Sequence, residues 1–212
     1  MPPTRAWLVR HGQSEANAGI PGPDPGATPL TPLGRRQAER VAQAVPEAPA
    51  LIVTSPFARA RATAERTIAR FPGSPVQEWP VQEYHYLGQF HDLATTSGER
   101  EPYVRAYWER ADPHLVNGDA ESFADLIDRV ELCLTRLDQR PEGLVAVFTH
   151  GMFTMALLWW LLTGRGEVTT DAMRRFRTFA DACRIPNGCI VELRYPGPVA
   201  LPGSTAHLPA AT

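Results

Sequence analysis

Apolar residues along this chain fall into two patterns. Short, mainly apolar runs occur at Ala6–Val9, Leu51–Thr54, Leu144–Phe148 and Ile190–Leu193. They are too brief for helices and suit strands of a sheet covered on both faces. Helical signals lie between them. Thr31-Pro32 offers a capping hydroxyl followed by a proline at the first helical position, predicting a helix to about Val45. Ser55-Pro56 repeats that signature and predicts a second helix to about Arg70. Ser122 and Asp125 have the spacing of a capping box. Behind them Phe123, Leu126, Ile127, Val130, Leu134 and Leu137 recur on one helical face. Met152–Leu162 is apolar nearly all round, as a helix enclosed by its domain should be, and it is too short to span a bilayer.

Strands alternating with helices predict an α/β fold, a three-layer sandwich around a mainly parallel central sheet. Ligands in such sheets sit beyond the carboxyl ends of the strands. Arg10-His11 follows the first run, Ser55 the second and His150 the third, so polar chemistry gathers at one sheet edge. Residues 81–118 are rich in Tyr, Trp, His and charge without a clean period, and they read as an inserted lobe over that edge. Pro21–Pro29 reads as a Pro/Gly loop nearby. The expected organisation is one domain over residues 1–195, with the lobe at 81–118, and a Pro/Ala/Gly-rich flexible tail at 196–212.

Composition narrows the partners. The 212 residues carry a net charge of −2 and a pI near 6.3, which gives no sign of a general nucleic-acid or polybasic membrane surface, and neither partner is expected. Every one of the 21 basic residues is arginine, so Schiff-base and P-loop lysine chemistry are excluded. Cys133, Cys183 and Cys189 match neither a disulfide framework nor a zinc ribbon, and reduced thiols are expected. The first residues contain no apolar signal segment, so a cytoplasmic location is expected. His85, His91 and His114 lack metal-ligand spacing, and no metal site is expected of them.

Five segments carry the candidate chemistry: Arg10-His11-Gly12 with Ser14 and Asn17, Leu30–Ala38, Ser55–Ala64, Val81–Gly88 and His150-Gly151. Together and in this order they resemble the histidine phosphatase superfamily, the phosphoglycerate-mutase-like proteins. Arg10, His11, Gly12, Ser14 and Asn17 meet the opening Arg-His-Gly-x-Ser-x-x-Asn motif. Leu30, Thr31, Gly34, Gln37 and Ala38 meet a Leu-Thr-x-x-Gly-x-x-Gln-Ala motif. Ser55, Pro56, Arg59, Ala60, Thr63 and Ala64 meet a Ser-Pro-x-x-Arg-Ala-x-x-Thr-Ala motif, and His150-Gly151 the late His-Gly pair. Asn187 stands before the last run, where many relatives carry asparagine.

The resemblance implies a phosphatase acting on a small phosphorylated substrate without metal or organic cofactor. His11 is the implied nucleophile, forming a phosphohistidine that water hydrolyses. Arg10, Arg59 and His150 are the implied phosphate pocket, with Asn17 a further ligand. The physics agrees, because a phosphate dianion needs planar, permanent cations around its oxygens and an acid for its leaving oxygen. The implied acid, later base, is Glu83 in a Glu-x-x-aromatic-Gly pattern with Tyr86. Leu87 stands where that pattern has glycine, Gly88 comes one place late, and Glu78 is the competing carboxylate. Two other readings stay open: a mutase that returns the phosphoryl group to a second hydroxyl, and a weakly catalytic phospho-ligand-binding module.

Overall fold

The four apolar runs become the middle of one sheet. In the computed structural model, which describes residues 5–22, 24, 26–90, 93–140, 142–195, 199–200 and 203–208, they form β1 (Arg5–Arg10), β2 (Leu51–Thr54), β4 (Leu144–Thr149) and β5 (Ile190–Arg194). Two strands that the sequence pattern did not signal complete the sheet at its edges, β3 (Val76–Glu78) and β6 (Val199–Ala200). The six strands run in the order β3-β2-β4-β1-β5-β6. β1, β2, β3 and β4 are mutually parallel, and β5 runs antiparallel to β1.

Alternation along the strands separates two cores. Trp7, Val9, Ile52, Ala146 and Phe148 point to one face. There they meet Val41 of α1 (Pro32–Ala44) and Ala64 and Ile68 of α2 (Ala58–Arg70). Ala6, Leu8, Val53, Val145 and Val147 point to the other face. That face is covered by α4 (Phe123–Asp138), α5 (Gly151–Leu162) and α6 (Thr170–Ala182) through residues such as Leu126, Val130, Phe153, Leu157 and Phe176. The result is the α/β sandwich of three layers. Each fully buried Leu or Phe in these cores contributes about 1.5–3 kcal/mol.

Helix starts follow local chemistry. Thr31 caps α1, its hydroxyl accepting from the Gly34 N–H, and Ser122 with Asp125 forms the capping box of α4. α2 departs from the sequence pattern by opening at Ala58 rather than at Ser55-Pro56. The Ser55 hydroxyl accepts from the Phe57 N–H within a turn and faces His150, so it is not spent on a helix cap.

The 81–118 segment contains a helix, α3 (Ser97–Arg110), which opens on a Thr96/Glu99 capping box. Its Tyr107 and Trp108 pack against Tyr84 and Tyr86, mostly edge to face, with the Tyr86 and Tyr107 rings 4.6 Å apart. Trp159 and Trp160 are packed into the core. Past residue 195, the segment read as a flexible tail has paired backbone among its described residues. β6 pairs with β5, Ser204 bridges Ile190, and Leu208 comes against Gly188. Strand β5 has a free edge there, which supplies the hydrogen-bonding partners. No helix among the described residues is long and apolar enough to cross a membrane.

Candidate active site

β1 ends by delivering His11 into a buried position, 2% exposed. Its backbone is held from several sides. The His11 N–H donates to the Thr149 carbonyl at 3.0 Å, while the Gly188 N–H and Asn187 Nδ2 both donate to the His11 carbonyl. The next residues are fixed by close backbone crossing. A Cβ on Gly12 would lie 2.4 Å from the Gly34 carbonyl oxygen, and one on Gly34 only 2.0 Å from the Gln13 oxygen. The Gly12 N–H donates to Thr63 Oγ1, and the Gln13 N–H to Gln37 Oε1. The motif residues Gly34, Gln37 and Thr63 therefore act as the mould of the loop that carries the histidine.

Hydrogen bonding settles the form of His11. Arg59 Nε, which can only donate, lies 3.1 Å from His11 Nε2, so Nε2 presents a lone pair. The ring hydrogen is then on Nδ1, which donates to the Gly12 carbonyl at 2.7 Å. Burial, then the charges of Arg59 and Arg10, hold the imidazole well below its ordinary pKa, against the opposing Gly12 hydrogen bond. His11 is thus a neutral base with a directed lone pair among cations.

His150 lies at the end of β4 and precedes α5, its ring 5.0 Å from that of His11. Its Nε2 is 2.8 Å from Ser55 Oγ, and its Nδ1 is buried with no hydrogen-bond partner among the described residues. Burial, then Arg59 and His11, push its pKa well down. Arg10 donates through Nη1 to the Ile185 carbonyl, and its Nε is buried without a partner among the described residues. Gly151 gives the guanidinium room, since a Cβ there would sit 3.3 Å from Arg10 Nε. Burial lowers the Arg59 pKa to about 10, which leaves it cationic at neutral pH.

Asn17 lies in the short turn after β1. Its Oδ1 accepts from Ser14 and from Asn187 Nδ2 at 2.9 Å, an arrangement that commits the amide oxygen and leaves the NH2 group to donate.

The two candidate carboxylates fall in different places. Glu83 Oε1 accepts from the Met152 and Phe153 N–H groups at 2.9 and 3.2 Å, seated on the N-terminus of α5 directly after His150-Gly151. Its charge acts on both Arg10 and Arg59. Glu78 is on edge strand β3, half exposed and paired with Arg61 at 2.6 Å. The late glycine of the Glu83 segment has its own reason, because a Cβ on Gly88 would lie 2.2 Å from the Asn117 carbonyl oxygen.

A cleft of about 840 Å³ opens beside Arg10 and Glu83, lined also by Met152, Met155, Ile185 and Asn187. A smaller cavity of about 150 Å³ borders Arg59 and the other side of Glu83. Among the described residues no cluster of three His, Cys, Asp or Glu side chains is arranged to hold a metal ion, and His91 lies outside the described residues. Ser55 was legible as a helix-capping signal, as the polar residue ending the second run and as the start of the Ser-Pro motif, but its contact with His150 had no sequence signature.

Comparison with known proteins bears on this geometry. The family model of the histidine phosphatase superfamily (branch 1) matches residues 6–197. The adenosylcobalamin/alpha-ribazole phosphatase of Salmonella typhimurium is 34% identical over 161 residues, covering 72% of this chain and 77% of that protein. Among solved structures, a mycobacterial glucosyl-3-phosphoglycerate phosphatase is similar with a TM-score of 0.68 and 25% identity, over 91% of this chain and 90% of its own. A phosphoserine phosphatase from Entamoeba histolytica shares the fold, with a TM-score of 0.74 at 22% identity over 97% of this chain and 99% of its own. With the motif segments meeting at one sheet edge and a family match along nearly the whole chain, the protein belongs to the histidine phosphatase superfamily, branch 1, and is an enzyme of the phosphomonoesterase type.

Proposed function

We propose that the chain hydrolyses a small phosphate monoester through a phosphohistidine on His11, with Glu83 as general acid and then base. One observation carries the reading. His11 Nε2 holds a lone pair toward Arg59 while Nδ1 is tied to the Gly12 carbonyl. A neutral, oriented imidazole beside two guanidiniums is what attack on a phosphoryl dianion needs.

In the first step Nε2 forms a bond to phosphorus and the ester P–O bond breaks. The departing alkoxide takes a proton from Glu83, and Arg59 moves its donors from Nε2 onto phosphoryl oxygens. Arg10, the Asn17 amide and His150 stabilise the remaining oxygens. In the second step water attacks phosphorus, Glu83 takes its proton, and the P–N bond breaks to give inorganic phosphate and free His11. The cleft of about 840 Å³ supports an alcohol of metabolite size on the leaving side.

The experiment is a panel of phosphate monoesters incubated with the purified protein and with His11→Ala. Stoichiometric free phosphate from the wild type alone is expected. An isomerised phosphoester in place of phosphate would mean a mutase, and binding without either product a phospho-ligand module.

A further inference from the structure

Ser55 is wholly buried at the carboxyl end of β2, and its hydroxyl touches two groups. The Phe57 N–H donates to Oγ over 3.2 Å, and Oγ lies 2.8 Å from His150 Nε2. A hydroxyl has one hydrogen to give and two lone pairs. If His150 Nε2 carried the ring proton, Oγ would accept from both neighbours, and its own hydrogen would be buried without an acceptor. If the hydroxyl donates to Nε2 instead, every group at Ser55 is satisfied. A neutral ring must then carry its hydrogen on Nδ1. That nitrogen is buried without a partner among the described residues, in a ring 5.0 Å from the His11 ring.

We propose that Ser55 is a positioning residue whose hydroxyl fixes His150 in the Nδ1–H tautomer, making Nδ1 an N–H donor for an oxygen of the substrate's phosphoryl group. The sign of this choice matters. A bare Nδ1 lone pair would repel a phosphoryl oxygen, and a doubly protonated ring would add a third cation beside Arg10 and Arg59. The neutral Nδ1–H donor avoids both and fills its missing hydrogen bond when the phosphoryl group arrives. His11 has the same tautomer for a different reason and uses the opposite nitrogen. One ring offers a lone pair to phosphorus and the other a hydrogen to oxygen. This inference rests on the phosphate pocket proposed above, but the tautomer belongs to the free protein and is read without substrate.

The test is long-range ¹H–¹⁵N NMR on histidine-labelled protein near neutral pH, with His150→Gln used for assignment. The expected wild-type spectrum shows His150 protonated on Nδ1 and bare on Nε2, with His11 as an internal reference of the same form. In Ser55→Ala the His150 signals should shift toward the Nε2–H form or a mixture. kcat/KM should fall about tenfold, less than the loss from removing a direct oxyanion donor. The inhibition constant of inorganic phosphate should rise alongside, the His11 signals should stay unchanged, and Ser55→Thr should restore the hydroxyl and both readouts. A wild-type His150 protonated on Nε2, or on both nitrogens, overturns the proposal. So does a folded Ser55→Ala protein with an unaltered His150 signal and full kcat/KM. If Ser55→Ala does not fold, the wild-type tautomer alone decides. Absence of a phosphoenzyme would strike the proposed function instead and leave the tautomer measurement standing.

Discussion

Replacing Glu83 by Gln and by Ala separates proton transfer from helix capping. Oε1 accepts the Met152, Phe153 and Tyr84 N–H groups, so the side chain also stabilises the start of α5. Gln keeps a carbonyl acceptor there and loses the charge, which costs about 0.3–1 kcal/mol at the helix N-terminus and also removes the anion that faces the buried Arg10 and Arg59. Ala loses the cap as well, about 0.5–2 kcal/mol more. Loss of a general acid is worth about 10²–10⁴ in rate, or roughly 3–5 kcal/mol in the barrier. Glu83→Gln should therefore stay folded in urea titration, with a higher midpoint than Glu83→Ala, while its chemistry collapses.

The informative assay is single-turnover phosphoenzyme formation with two leaving groups. An alkyl phosphate needs a proton to leave, whereas p-nitrophenyl phosphate leaves as a stabilised phenolate. Glu83→Gln should slow the alkyl substrate by about 10²-fold or more and the aryl substrate far less. Glu78→Gln should change neither, because Glu78 pairs with Arg61 on a half-exposed edge strand. Equal losses with both substrates in Glu83→Gln, or a leaving-group dependence that follows Glu78, would refute the assignment.

Arg59→Ala should lower kcat/KM by about 10²-fold or more, since it removes a buried cation from the phosphoryl oxygens, and a change below about threefold would count against that role. Stability should fall as pH drops below about 6.5, because His11 and His150 have depressed pKa values when folded and the unfolded chain takes up their protons first. The two groups together set a limit of about 2.7 kcal/mol per pH unit, and urea unfolding at two pH values should show a smaller slope in a His11→Asn/His150→Asn variant. An unchanged slope in that variant would mean that the two rings are charged in the folded state. Gly34→Ala should destabilise by about 1–3 kcal/mol despite a helix-propensity gain of about 1 kcal/mol, since its Cβ would lie 2.0 Å from the Gln13 oxygen. A more stable variant would show that the loop yields.

Much of the sheet was legible because buried parallel strands are continuous apolar runs, as Leu144–Thr149 is. β3 escaped because all three of its residues are exposed, so Val76–Glu78 has neither a run nor an alternation to read. α3 escaped for a related reason. Its apolar residues do not repeat on one face, Pro102 inside it argues against a helix in sequence, and only the Thr96/Glu99 box announces it. α6 buries little beyond Met173 and Phe176. At the site, motif order drew attention to Arg10, His11, Arg59 and His150, but spacing alone does not fix a tautomer. The Nδ1–H form of His11 depends on Arg59 arriving from helix α2, and the Ser55 contact joins residues 95 positions apart. Gly12 was legible only as a motif position; a Cβ on it would meet the Gly34 carbonyl first, so the glycine serves the loop crossing.

The proposed chemistry passes through a single atom, Nε2 of His11. Rapid mixing with a phosphoryl-labelled ester, a quench that avoids acid, proteolysis and NMR of the labelled peptide distinguish the two phosphohistidine isomers. The predicted result is an acid-labile, base-stable phosphoryl group on Nε2 of His11, because Nδ1 is bound to the Gly12 carbonyl. A label on Nδ1, a label on another residue, or full turnover by the His11→Ala protein would contradict it.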